Sequence, residues 1–210
     1  MKTIDINTWN RKEHFEFFSK FDEPYYGITA EVDCTIAYKN AKGMNIPFFV
    51  YYLHKSNCAI NEIENLKLRI VDNQVVLYDV VHASSTIGRE DGTFAYSFIE
   101  HSGDINVFYE NAKKEIEQVK NSAGLRLNDE AKRFDTVHYS PLPWIKFTSV
   151  THARDFKRND SVPKISFGKV TEANGKLTMP VGIYVHHGLV DGYHVGKYFE
   201  IFQNLLNEEQ

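Results

Sequence analysis

Residues 177–206 constrain the fold more than any other part of this chain. L-T-M-P-V-G-I-Y-V-H-H (177–187) is an extended, largely apolar run that reads as a strand. Gly188-Leu189-Val190 breaks it. Asp191 then opens a helix whose Val195, Tyr198, Phe199, Phe202, Leu205 and Leu206 recur at 3–4 residue spacing. A strand must therefore hand over to a helix within a few residues. At that junction stand three histidines and one aspartate: His186, His187, Asp191 and His194.

The remaining elements follow from period and punctuation. Residues 8–21 (TWNRKEHFEFFSKF) predict a short amphipathic helix, and 26–35 (YGITAEVDCT) a strand. Asn45-Ile46-Pro47 predicts a helix start, with proline in the first turn and FFVYYLHKSNCAINEI running on from it. Residues 66–80 predict a hairpin about Asp72-Asn73. TIGRED (86–91) and TFAYSFIEH (93–101) are strand-like, and 105–121 is the clearest long helix. FDTVHYS and WIKFTSV read as strands flanking Pro141 and Pro143. KISFGKV pairs with the 177–187 run in a hairpin around Asn174-Gly175. Strands interspersed with helices predict a mixed sheet covered by helices on one side. The 210-residue length suits one domain spanning 1–210, and no linker suggests a boundary.

Composition excludes several function classes. Net charge is −4 with no Lys/Arg block, which argues against a nucleic-acid partner. No apolar run approaches the ~18 residues of a membrane span, and the N-terminal segment lacks the apolar core of a signal peptide. Cys34 and Cys58, without metal spacing, read as reduced core residues of a cytosolic protein. Aromatic content of 14% fits a large aromatic core, a pocket or a subunit interface.

The histidine cluster admits three readings from the residues alone. Metal binding has the right ligand types, but adjacent histidines on a strand diverge and no glutamate stands at a general-base spacing such as HExxH. A purely structural reading makes the histidines a strand end and Asp191 a helix cap. The third reading is proton transfer.

The pattern His186-His187-x-x-x-Asp191-Gly192 resembles the signature of the chloramphenicol acetyltransferase family, whose motif extends more loosely to other CoA-dependent acyltransferases. W-N-R-K-E-H-F (9–15), Thr93-Phe94, Pro143-Trp144 with Phe147-Thr148-Ser149, and Phe167-Gly168-Lys169 followed by Met179-Pro180 are similar to further family landmarks, in family order. The resemblance implies an α/β (α+β) two-layer sandwich and O-acetylation of chloramphenicol by acetyl-CoA in a ternary complex. Acetyl-CoA is then a co-substrate and no permanently bound cofactor or metal is expected. It also implies a cytoplasmic homotrimer with active sites shared between subunits.

Roles carry over residue by residue. His187 matches the general base; an imidazole of ordinary pKa near ~6.5 is half-ready at cellular pH. Asp191 and Arg11 match an ion pair that braces the site, bidentate if buried, with the imidazole oriented mainly by backbone contacts. Ser140 matches the oxyanion donor. Ser166 stands where the family has a threonine acting through water. Lys169 matches a lysine near the CoA 3′-phosphate, while a second family lysine is replaced by Met44, with Lys42 displaced nearby. Trp144 is placed along the CoA channel. Phe17, Phe18 and Phe94 line the acceptor side; Phe18 replaces a tyrosine, Tyr96 a small residue and His138 a phenylalanine. Gly188 stands where alanine or serine is usual. These departures leave room for another hydroxylated acceptor, or for a non-catalytic ligand-binding relative, beside the leading reading.

Overall fold

The computed structural model describes residues 1–154 and 160–209. In chain order the elements are β1 (Lys2–Thr3), α1 (Lys12–Phe18), β2 (Tyr25–Asp33), α2 (Thr35–Gly43), α3 (Phe48–Asn61), β3 (Leu68–Val71), β4 (Gln74–Leu77), β5 (His82–Gly88), β6 (Phe94–Tyr96), α4 (Ile105–Lys120), β7 (Thr136–Pro141), β8 (Lys164–Phe167), β9 (Thr171–Ala173), β10 (Lys176–His186) and α5 (Gly192–Leu206). The main sheet runs β2-β10-β8-β7-β5-β6, with β9 hairpinned onto β10. It is mixed: β5, β7 and β8 are mutually parallel, and the other pairs are antiparallel. A small sheet, β1-β4-β3, is separate.

Strand alternation decides which side chains meet the helices. Along β10, Met179, Val181, Ile183 and Val185 enter the core, as do Val137 and Tyr139 of β7 and Ile165 and Phe167 of β8. Against them pack Ala37 and Ala41 of α2, Leu53 and Ile60 of α3, Phe108 and Ala112 of α4, and Val195, Tyr198, Phe202 and Leu206 of α5. The expected architecture is present, and α5 carries the expected stripe.

Arg69 is wholly buried among these elements. It donates to the carbonyls of Leu66, Leu68, Phe134 and Thr136 at 2.6–2.9 Å, joining β3 to the entry of β7. Among the described residues, no helix is long and apolar enough to cross a membrane. Cys34 and Cys58 are free thiols, both pushed up by burial.

Three local expectations differ from the structure. The first helix is only α1, its flanks being turns. Residues 35–43 form α2, begun by Asp33 Oδ1 accepting from the Thr35 amide and hydroxyl at 3.0 and 2.7 Å. WIKFTSV is not a strand. It crosses the open face of the sheet, where Phe147 and Val150 cover Gly168 and Gly182. A Cβ at Gly182 would stand 2.7 Å from Val150 Cγ1, so the absent side chain is what admits the segment.

Candidate active site

β10 ends at His186, paired with Tyr25 of β2. The two histidines then part. His186 is buried with its ring edge-on to Tyr25. The Gly188 amide donates to His186 Nδ1 at 3.2 Å, so that nitrogen holds a lone pair and the ring is neutral. Burial first, then the charge of Arg154, pushes its pKa down to about 4. A Cβ at Gly188 would lie 3.0 Å from the His186 ring, so glycine lets the loop fold over it.

His187 lies one residue past the strand, its amide still donating to the Pro24 carbonyl at 2.8 Å. Its ring stacks on Phe18 at 3.9 Å and 8°, and meets Tyr26 at 4.4 Å and 38°. Among the described residues its Nδ1, sealed from solvent, has no hydrogen-bond partner. A backbone contact holds the residue, and aromatic rings pack on the imidazole.

Asp191 braces this corner. Arg11, just before α1, donates from one guanidinium nitrogen to Asp191 Oδ2 at 2.5 Å, while the other lies 3.5 Å from the His187 carbonyl oxygen. The pair is thus single-contact rather than bidentate, because the second nitrogen turns toward the backbone of the histidine. Asp191 also caps α5, with Oδ1 accepting from the Tyr193 amide at 3.0 Å. His194 Nδ1 is 2.8 Å from the same oxygen and 3.2 Å from the Asp191 amide. The Asp191 amide donates to His194 Nδ1, which completes a capping box at the start of α5. Burial alone would raise the Asp191 pKa, but the Arg11 hydrogen bond and the charges of His194 and Arg11 outweigh it and hold the carboxyl ionised.

A second group lies on the sheet face turned away from the helices. Register pairs His138 with Lys164, and Ser140 with Ser166, which in turn pairs with Gly182. Ser166 is fully buried, its Oγ 3.2 Å from His152 Nε2. No local signal in the sequence marks His152; only the segment crossing the sheet brings it there. Burial and then Lys164 push His138 down to about 4, and the same two causes lower His152, so both rings are neutral near pH 7.

The two groups do not meet within one chain. Strands lie about 4.8 Å apart and residues rise about 3.3 Å, so two strands across and five residues along put Ser140 roughly 19 Å from His187. Phe17 (59% exposed) and Phe94 (44%) are open to solvent, with Tyr96 half-buried beside Phe94. Trp144 is 76% exposed, and Lys169 is exposed, its amide tied to the Ile145 carbonyl at 2.8 Å. Met44 packs against the core, and Lys42 is exposed in the last turn of α2. Among the described residues, no three His, Cys, Asp or Glu side chains converge as metal ligands.

Known proteins share this fold. A probable dihydrolipoamide acetyltransferase from Listeria monocytogenes has the same fold at a TM-score of 0.67 and 13% identity, covering 98% of this chain and 94% of that one. A solved chloramphenicol acetyltransferase matches at a TM-score of 0.92 and 31% identity, over 98% of this chain and 99% of the other. The chloramphenicol acetyltransferase of Proteus mirabilis is 27% identical over 206 residues, 98% of this chain and 94% of the relative. The family model for chloramphenicol acetyltransferase matches residues 1–203. The class is therefore that of acyl-CoA-dependent transferases. Within it, the chain belongs to the chloramphenicol acetyltransferase family.

Proposed function

We propose that this protein transfers the acetyl group of acetyl-CoA to a hydroxyl of chloramphenicol, as a single domain acting in the cytosol within a homotrimer. The observation that carries the reading is the placement of His187. Its Nδ1 is sealed, its ring is fixed by Phe18 and Tyr26, and its loop is tied down through Arg11 and Asp191. A ring so held presents Nε2 as a base.

The chemistry then follows in one complex. The acceptor oxygen attacks the thioester carbonyl while His187 Nε2 takes its proton. The tetrahedral oxyanion takes a hydrogen bond from Ser140, and from Ser166 through water. Collapse breaks the C–S bond, and the imidazolium returns the proton to the CoA sulfur. No acyl-enzyme is needed, since the thioester is already activated. Lys169 and Trp144 are assigned to the CoA channel. Phe17, Phe18, Phe94, Tyr96 and His138 are assigned to the acceptor side, where apolar walls suit an aromatic ring.

The separation of Ser140 from His187 supports the trimer: a base from one subunit would work with the serines of its neighbour. A second acceptor is favoured by one observation. His138 and His152 stand on the serine face, so a more polar alcohol than chloramphenicol would find hydrogen-bonding partners there. Purified protein given acetyl-CoA and chloramphenicol should release free CoA thiol, and His187→Ala should abolish the release. Release only with other alcohols would move the acceptor and keep the chemistry. Binding of CoA with no release from any acceptor would overturn the enzymatic reading.

A further inference from the structure

On the open face of the sheet, Ser166 takes its partner from outside its own strand. β7 and β8 run parallel and pair Ser140 with Ser166, so the two side chains stand on one face, about 4.8 Å apart across the sheet. On its other side Ser166 pairs with Gly182, which offers no side chain. Ser166 is wholly buried, and its Oγ lies 3.2 Å from His152 Nε2. A buried hydroxyl calls for such a partner.

The segment crossing the sheet delivers that imidazole through a series of fixed contacts. The Leu142 amide donates to the Phe167 carbonyl at 2.7 Å, and the Lys169 amide to the Ile145 carbonyl at 2.8 Å. Phe147 packs over Gly168 and Val150 over Gly182, in space that a Cβ on either glycine would fill. Two residues on, His152 sets its ring 5.9 Å from that of Tyr184 and its Nε2 against Ser166. Burial, then the charge of Lys164, lowers the His152 pKa. The ring is therefore neutral near pH 7, with one N–H and one lone pair to offer.

We infer that His152 is a positioning residue for the oxyanion side of the site: its Nε2 hydrogen is donated to Ser166 Oγ, which leaves the Ser166 hydroxyl hydrogen free to serve the reacting carbonyl. The inference rests on the role proposed above for Ser166. A serine hydroxyl has one hydrogen and two lone pairs. Were Ser166 to donate to His152, that one hydrogen would be spent inside the protein. With His152 donating, the hydroxyl is fixed through a lone pair and polarised as a donor.

Double-mutant kinetics tests the coupling, with whichever acceptor the wild type turns over. Ser166→Ala should lower kcat about tenfold, and His152→Leu about fivefold to tenfold, with KM for both substrates within about twofold of wild type. The double variant should be no slower than Ser166→Ala alone, because His152 acts only through that hydroxyl. His152→Gln keeps an N–H near the Nε2 position and should retain kcat within about threefold of wild type. Nitrogen-15 NMR of the free protein, independent of turnover, should place the His152 hydrogen on Nε2. Losses that multiply in the double variant, a Gln variant as slow as the Leu variant, or a His152 hydrogen on Nδ1 would each overturn the inference. So would a His152→Leu protein with a lowered melting temperature and an unchanged kcat, the mark of a purely structural contact. Each of these results, with an active wild type, touches the inference alone. A wild type that released no CoA with any acceptor would overturn the functional reading and the inference with it.

Discussion

The two halves of the site are built to opposite specifications. Around His187 almost every group is committed: Arg11 to Asp191, Asp191 to the start of α5, the imidazole to two aromatic rings and its amide to Pro24. Around Ser140 little is. Among the described residues its hydroxyl makes no hydrogen bond, and Ser166 has one side-chain partner, His152. A general base must hold one tautomer and one direction, which fixed neighbours provide. An oxyanion donor must be free to turn toward a charge that exists only in the transition state. The difference in bracing suits the different jobs proposed for the two groups.

Substitutions can break that contrast. His187→Ala should lower kcat by about a thousandfold or more, the scale of a lost general base, with the fold intact because the ring adds no hydrogen bond to the core. Ser140→Ala should cost about a hundredfold in kcat with little change in melting temperature, since the hydroxyl supports no neighbour in the free chain. Asp191→Asn should behave the other way. Asparagine still caps α5 but cannot pair with Arg11, so stability falls by about 1–2 kcal/mol and kcat by about tenfold. Steady-state kinetics with thermal melts separates the three.

The smallest effect on activity is expected from bulk titration at mild acidity. His54, His138 and His186 each have pKa values pushed down to about 4, burial being the largest cause, against an ordinary value near 6.5. The folded state then binds fewer protons than the unfolded chain between those values. Stability is complete above about pH 6.5 and declines as pH falls toward 4. Melting temperature against pH should show this decline; a flat profile from 7 to 4 would contradict it.

How much of this was legible in the sequence varies with the range of the interactions concerned. The long elements announce themselves: α3, α4 and α5 carry a period, and Asp72 and Asn73 both take positive φ (48° and 61°) at the hairpin they were expected to turn. Helix α2 leaves little mark in the sequence because it buries only Ala37, Asn40 and Ala41, too small and polar a stripe to stand out. The stretch 144–150 alternates like a strand, yet its alternation serves to lay Phe147 over two glycines across the sheet. The divergence of His186 from His187 follows from strand geometry alone. The contacts of His187 with Tyr26, and of His152 with Ser166, do not, since each depends on how distant segments cross.

The central claim is that the braced base and the unbraced serines work together across two copies of the chain. Mixing His187→Ala with Ser140→Ala protein under conditions that exchange subunits tests it most directly. In randomly mixed trimers with shared sites, about one site in four pairs an intact His187 with an intact Ser140 of the neighbour. Activity should therefore rise from near zero in either variant to about a quarter of wild type. A mixture no more active than the two variants separately, with exchange verified, would contradict the shared site.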